Sequence, residues 1–192
     1  MFIEKIKHYD GSLIHKRFAY EFFRKDVLRT GNIVAFVGSM EVTDNLVDLE
    51  DSLSEDFIYS DKAINFCWEI PDIDMFGGIA FQRLFNTQIA NILYSFINKP
   101  IYMRGDDIMV KDEQEVDGII RLEGKASVSI TTTVNRAVVG HTGININAGK
   151  RAPVFAYSTN LNEQQTREFI DKVLKEFYKL TDDIFVSSTK VI

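Results

Sequence analysis

Apolar residues recur at helical spacing in three stretches of the chain. Residues 15–28 carry a phenylalanine face, residues 81–97 carry the most regular apolar stripe, and residues 160–180 repeat the pattern near the C-terminal end. Asn160 and Glu163 have the spacing of a capping box, which predicts the start of the third helix. We therefore predict three amphipathic helices, of which the middle one belongs to the core.

Between the helices the pattern changes to a period of two. Residues 33–37 and 63–70 predict buried strands, and residues 101–157 predict a β-meander with turns at glycine and asparagine positions. One face of this meander is expected to be apolar and the other rich in hydroxyl and amide groups. The apolar set is Val128, Ile130, Val134, Val138, Ile144 and Ile146, and the polar set is Ser127, Ser129, Thr131, Thr133, Asn145 and Asn147. Strands flanked by helices predict an α+β fold.

Composition and charge limit the class of protein. The 192 residues are 45% hydrophobic, which predicts a single domain over residues 1–192. The net charge of −6 argues against nucleic acid as a partner, because proteins that bind it usually present a basic face. The single cysteine, Cys67, excludes an intramolecular disulfide and a zinc site rich in thiolates. No apolar stretch is long enough to cross a membrane, so we expect a cytoplasmic protein with no membrane partner.

Residues 40–61 form an acidic stretch that contains neither lysine nor arginine. We interpret the stretch as a solvated surface segment, and binding of magnesium is the alternative. We therefore assign no functional site to residues 40–61.

The densest group of polar residues lies between positions 104 and 147. Lys125, Ser127 and Ser129 alternate along one predicted strand, so their side chains share a face. A lysine ammonium is a compact positive charge suited to a phosphate or carboxylate. The full set of candidates is Arg104, Asp106, Asp107, Lys125, Ser127, Ser129, His141, Asn145 and Asn147. This pattern predicts a site that holds a phosphate or carboxylate group.

Two of these assignments have structural alternatives. Asp106 and Asp107 are adjacent on a strand, so only one of the two readily faces the site, and Gly-Asp-Asp is also a common turn. His141 is either a hydrogen-bonded structural residue or a substrate contact that carries a proton near neutral pH. We predict no metal ligands, because His8 and His15 lie far from His141 in sequence and have no metal-binding spacing.

Three of these segments resemble motifs of cofactor ligases. Residues 125–129, Lys-Ala-Ser-Val-Ser, resemble the Lys-x-Ser-Gly-Ser strand of lipoate-protein ligases, and His141 falls where that family carries a histidine. Residues 104–108 resemble the Asn-Asp-Ile/Leu element of lipoate and biotin ligases, with Asp106 in place of the asparagine. Residues 138–147 are similar to the Gly-Ile-Gly-Ile-Asn-Val-Asn strand of biotin ligases.

The resemblance implies a fold and a set of roles. The fold is the one shared with class II aminoacyl-tRNA synthetase cores, a mixed, largely antiparallel central sheet flanked by helices. The implied catalytic residues are Lys125, which contacts a phosphate or acyl oxygen, and Asp107, which positions it or a magnesium ion. The implied ligand-binding residues are Arg104, Asp106, Ser127, Ser129, His141, Asn145 and Asn147.

The whole chain resembles the domain of unknown function 366 family, through segments such as Tyr9-Asp10-Gly11 and residues 47–51 and 82–84. It also departs from the ligases, because residues 30–100 contain no arginine- and glycine-rich loop that wraps an acyl-adenylate. The link between Asp107 and Lys125 is longer than lipoate ligases need, which predicts an extra hairpin.

Three functional hypotheses remain open at this point. The first is a ligase-like enzyme that binds a nucleotide or small carboxylate, with ATP and magnesium as candidate cofactors and acyl-adenylate transfer as the candidate reaction. The second is a non-catalytic protein of the same fold that binds such a ligand. The third is a protein-interaction module, and a homodimer is one candidate assembly.

Overall fold

The computed structural model describes residues 1–46, 53, 57–116 and 118–191. Residues 47–52 and 54–56 of the acidic stretch, which include the family-like segment 47–51, therefore lie outside the described residues. The elements are β1 (His8–Tyr9), α1 (Phe18–Phe23), β2 (Asn32–Val42), β3 (Ile58–Pro71), α2 (Met75–Ile97), β4 (Ile101–Arg104), β5 (Asp107–Val110), β6 (Gln114–Val116), β7 (Ile119–Arg121), β8 (Gly124–Lys125), β9 (Ser127–Val134), β10 (Ala137–Asn147) and α3 (Glu163–Ser188). None of the described helices is long and apolar enough to span a bilayer.

The central sheet has five strands in the order β1-β2-β3-β10-β9. Only β1 and β2 are parallel, and every other neighbouring pair is antiparallel. The predicted α+β fold with a mixed, largely antiparallel sheet is confirmed. A second sheet, β4-β5-β8, lies beside it, and β6 and β7 form the extra hairpin that the long link between Asp107 and Lys125 predicts.

Alternating side chains of the central sheet pack into two apolar layers. On one face, Phe66 and Trp68 of β3 pack against α2 and α3, and Phe177 of α3 meets Phe85 of α2 edge to face at 5.4 Å. On the other face, Phe36 and other strand residues pack against the N-terminal segment and α1. The helices α2 and α3 thus leave the second face of the sheet to shorter elements.

The first predicted helix is only partly correct. Within residues 15–28, the α-helix covers Phe18–Phe23 alone, with short 3₁₀ turns at Ser12–His15 and Arg24–Asp26. Arg24 has a positive φ of 51°, and a residue in that conformation cannot continue a right-handed helix.

The third predicted helix begins and ends later than its sequence pattern indicates. Its capping box uses Asn162 and Gln165: the Asn162 side chain accepts from the Gln165 N–H at 2.9 Å, and the Gln165 side chain accepts from the Asn162 N–H at 3.0 Å. Asn160 instead has a positive φ of 54°, whereas an N-cap residue is extended. The helix continues to Ser188 rather than ending near Leu180.

The predicted division of the meander into one apolar and one polar face is wrong. The β9–β10 register pairs Ile130 with His141 and Ser129 with Thr142, so even-numbered residues of β9 share a face with odd-numbered residues of β10. Val128 and Ile130 therefore lie on the face opposite α2. The serines of β9 lie on the helix side, together with Val138, Ile144 and Ile146 of β10.

Candidate ligand-binding site

A pocket of about 370 Å³ opens on the face of the central sheet that lies away from α2 and α3. Small-molecule sites commonly occupy about 300–1,000 Å³. Its apolar lining includes Ile14, Val42, Phe57, Val128 and Ile130. Its polar residues include Asp107, Lys125 and Asn145. The pocket therefore combines an apolar chamber with a charged group on its wall.

Lys125 and Asp107 meet in this pocket. Their strands β8 and β5 are antiparallel neighbours, and the Lys125 Nζ lies 2.7 Å from the Asp107 Oδ1. Each side chain remains 27% exposed, so the pair is accessible from the pocket. The Lys125 backbone is fixed on its other side, because its N–H donates to the Phe155 carbonyl at 2.7 Å and its carbonyl accepts from the Tyr157 N–H at 2.8 Å.

Asn145 lies beside this pair and carries an acceptor without a donor. Its side chain donates from Nδ2 to the Lys125 carbonyl at 3.5 Å, which orients the carboxamide. The residue is only 2% exposed, and no donor among the described residues reaches its Oδ1. A buried acceptor left unpaired costs about 1–3 kcal/mol, so a donor on a ligand would relieve that cost.

Asp106, the turn residue before β5, directs its carboxylate toward α2 rather than Lys125. Its Oδ1 lies 3.3 Å from the Arg83 Nη1, and its Oδ2 accepts from Gln82 Nε2 at 3.3 Å. Burial raises the pKa of the Asp106 carboxyl above its usual value, and the Arg83 guanidinium opposes that shift. Asp107 is thus the carboxylate of the two that reaches the lysine.

The hydroxyl groups of Ser127 and Ser129 have structural partners. The Ser127 Oγ accepts from the Ile108 N–H at 2.9 Å, which ties β9 to β5. The Ser129 Oγ accepts from Gln82 Nε2 at 2.7 Å and from Asn86 Nδ2 at 3.0 Å, both on α2. Both serines line the pocket, but their hydroxyl groups form hydrogen bonds that join β9 to β5 and to α2.

Two further candidates lie apart from the pocket. Arg104 donates to Glu123 at 2.6 Å and to the Tyr102 hydroxyl at 2.8 Å on an exposed surface. The Asn147 Oδ1 accepts from the Gly149 N–H at 3.1 Å and shapes the loop that follows β10. Neither residue contributes to the lining, so the sequence pattern placed them too close to the site.

His141 lies in the pocket floor as a buried, hydrogen-bonded residue. Its ring stacks on Tyr9 with 3.8 Å between ring centroids, and its Nε2 lies 2.9 Å from the Asn65 Oδ1. Because that oxygen can only accept, Nε2 carries the proton. Burial lowers the pKa of His141 to about 3, so the ring is neutral at pH 7. The geometry matches the structural interpretation of this histidine.

Several lining residues come from segments that carried no sequence signal for a site. Tyr9 and Ile14 belong to the N-terminal segment, and Pro153 and Phe155 belong to the loop after β10. Their approach depends on long-range pairing, such as the parallel contact of His8 and Tyr9 with β2, which local spacing does not reveal. Among the described residues, no group of three or more histidine, cysteine, aspartate or glutamate side chains could hold a metal.

Solved structures with a similar fold include a relative of similar length and two cofactor ligases. A protein of unknown function from Pyrococcus horikoshi is 25% identical, with a TM-score of 0.81 over 100% of this chain and 96% of its own. LipL1 of P. falciparum, in complex with lipoate, is 13% identical with a TM-score of 0.57 and matches 93% of this chain. Biotin protein ligase from Aquifex aeolicus, in complex with biotin and ATP, is 14% identical with a TM-score of 0.57, over 94% of this chain and 70% of its own.

These likenesses show that the chain has the fold of lipoate and biotin protein ligases. The chain spans only 60% of the length of LipL1. None of the curated proteins compared with the chain matches it significantly. Residues 1–192 match the sequence model of the domain of unknown function DUF366, and the chain therefore belongs to that family.

Proposed function

We propose that this protein binds a small carboxylate with an apolar body in the sheet pocket. The observation that carries the proposal is the Lys125 ammonium, which lies on the wall of a chamber that also has an extended apolar lining. Such a chamber favours a hydrocarbon body, because transfer of apolar surface out of water is favourable. The two ligases of the same fold were solved with lipoate and with biotin, which are small carboxylates with largely apolar bodies.

Lys125 is suited to hold the ligand carboxylate while it stays paired with Asp107. An ammonium has three donors, and Asp107 occupies one of them at 2.7 Å. The partial exposure of both side chains leaves room for a second anion on the ammonium. Asn145 would accept from a donor on the ligand, such as a hydroxyl, an amine or a protonated carboxyl.

Acyl-adenylate formation is the finer form of this proposal. Asp107 is the carboxylate that could hold a magnesium ion together with a nucleotide phosphate, since magnesium in such sites is bound through one or two carboxylates and the phosphates. Among the described lining residues, Lys125 supplies the only full positive charge. With a single positive charge in this lining, carboxylate binding is favoured as the main function. Activation with ATP is tested by its own experiment.

Isothermal titration calorimetry with lipoate, biotin and octanoate tests the binding proposal. We expect at least one carboxylate to bind, and Lys125→Ala to weaken its binding roughly tenfold or more, because a charge-assisted contact is lost. Lys99→Ala is the matched control, since Lys99 also pairs with an aspartate, Asp112 at 2.8 Å, but lies outside the pocket. Equal affinities for the wild type and Lys125→Ala, or no binding by any of the three acids at millimolar concentration, would contradict the proposal.

Pyrophosphate exchange tests activation separately. The carboxylate that binds most tightly is supplied with ATP and magnesium, and incorporation of labelled pyrophosphate into ATP is measured. Exchange that depends on the carboxylate and is lost in Asp107→Asn supports acyl-adenylate formation. Absence of exchange with a carboxylate that binds assigns the protein to ligand binding alone.

A further inference from the structure

Two buried carboxamides connect helix α2 to the turn that carries Asp107. Gln82 is 2% exposed and Asn86 is fully buried. They lie one helical turn apart and therefore share the face of α2 that meets the sheet. Burying a carboxamide is unfavourable unless its donors and acceptor are paired, so the partners of these side chains indicate their role.

Asn86 joins three separate segments through its single side chain. Its Nδ2 donates to the backbone carbonyl of Asp106 at 2.9 Å and to the Ser129 Oγ at 3.0 Å. Its Oδ1 accepts from the Thr142 Oγ1 at 2.8 Å. The β4–β5 turn is thereby fixed to both β9 and β10 through one residue of α2.

Gln82 holds the same turn by its side chain. Its Nε2 donates to the Ser129 Oγ at 2.7 Å and to the Asp106 Oδ2 at 3.3 Å. Its Oε1 accepts from the Arg83 Nη1 at 2.6 Å, and Arg83 also pairs with Asp106. Both the backbone and the carboxylate of Asp106 are therefore bound to α2.

This anchoring determines where the next side chain points. Asp106 is the last turn residue before β5, so the bonds that hold its carbonyl and its carboxylate against α2 fix the start of the strand from which Asp107 reaches Lys125. The preceding residue, Gly105, has a positive φ of 65°, and a Cβ built on it would meet no atom within 4 Å. Of the two turn residues, Asp106 is therefore the one that α2 contacts.

We infer that Gln82 and Asn86 are positioning residues that set the geometry of the Asp107–Lys125 pair from the opposite side of the sheet. A second part of the inference rests on the proposed function: the same two residues also set the affinity of the pocket for a carboxylate. Neither side chain lines the pocket. Their effect on a ligand passes through Asp106 and Asp107.

NMR spectroscopy of the lysine ammonium groups tests this inference without any ligand. The ¹H–¹⁵N signal of Lys125 Nζ, assigned with Lys125→Arg, is expected to be shifted and protected from solvent exchange in the wild type by its pairing with Asp107. We expect Asn86→Ala and Gln82→Met to move it toward the position of exposed lysines. The same variants should weaken binding of the carboxylate found by calorimetry roughly tenfold, the cost of a loosened charged contact.

Two variants of α2 serve as controls. Asn91→Ala removes an exposed carboxamide from the same helix, and Ile89→Ala lowers packing in the core without touching the hydrogen bonds to Asp106. Both should leave the Lys125 signal unchanged, although Ile89→Ala lowers the midpoint of urea unfolding.

The outcomes separate this inference from the proposed function. An unchanged Lys125 signal in both Gln82→Met and Asn86→Ala overturns the positioning role, whatever the pocket binds. If Asn86→Ala does not fold, Gln82→Met alone decides, because its side chain keeps the length and apolar stem of glutamine. A shifted signal in a protein that binds no carboxylate supports the positioning role and rejects carboxylate binding.

Discussion

At the scale of single residues, Asn145 is the position where stability and ligand binding are expected to conflict. Its buried Oδ1 has no donor among the described residues, so Asn145→Leu removes a polar group that folding leaves unpaired. We expect Asn145→Leu to keep or raise the free energy of unfolding, by up to about 1 kcal/mol, while binding of the carboxylate weakens. Urea unfolding and calorimetry measure the two effects.

Asn86→Leu is the matched comparison. Asn86 is buried with its side chain fully paired, so this variant should lose about 2 kcal/mol or more of unfolding free energy. Equal losses in the two variants would show that Oδ1 of Asn145 is satisfied.

At the scale of elements, the sequence and the structure place the start of α3 at different residues. The sequence placed the capping box at Asn160 and Glu163, whereas the structure places it at Asn162 and Gln165. We expect Asn162→Ala to lower the free energy of unfolding by about 1 kcal/mol, because the Gln165 N–H loses its side-chain acceptor. Glu163→Ala should change it by less than about 0.5 kcal/mol. The urea midpoints of the two variants measure the difference, and a larger loss in Glu163→Ala would support the earlier register.

The elements that the sequence predicts well are those whose signal is local. The apolar stripe of 81–97 identifies α2, which begins earlier, at Met75, and includes Gly78 in close contact with Val138. The faces of β9 and β10 could not be predicted in the same way, because they depend on hairpin register, and one step of register exchanges the two faces.

The candidate site likewise contains residues that local motifs identify and residues that only long-range contacts bring together. The sequence motifs identify Lys125 and Asp107, and the structure brings the two side chains together. Tyr9 has no local sequence signal for a site, and its ring stacks on His141, more than a hundred positions away in the sequence. The positioning role of Gln82 and Asn86 is equally hidden in sequence, where they are polar interruptions of a helix.

At the scale of the whole molecule, the buried His141 makes the stability of the fold depend on pH. Its pKa is about 3 in the folded state, whereas an unfolded histidine has a pKa of about 6.5, so the unfolded chain binds the extra proton as the pH falls between these values. Stability is therefore complete above the unfolded pKa and is lost on acidification. Between pH 6 and pH 5 we expect the free energy of unfolding in urea to fall by roughly 1 kcal/mol. Burial lowers the pKa of the Met1 amine to about 6, so its contribution falls mainly between pH 8 and pH 6.

The variant His141→Phe isolates this contribution. Phenylalanine can keep a stack on Tyr9 but cannot take up a proton, so the variant should be less stable at pH 7 and yet nearly independent of pH between 6 and 5. His15→Gln, which changes an exposed histidine, should keep the wild-type pH profile. A wild-type profile that is flat from pH 6 to pH 5 would mean that the folded and unfolded chains take up equal numbers of protons there, so that His141 also becomes protonated in the fold as the pH falls. The floor of the pocket would then carry a positive charge beneath the ligand, and Lys125 would no longer be the only cation available to a carboxylate.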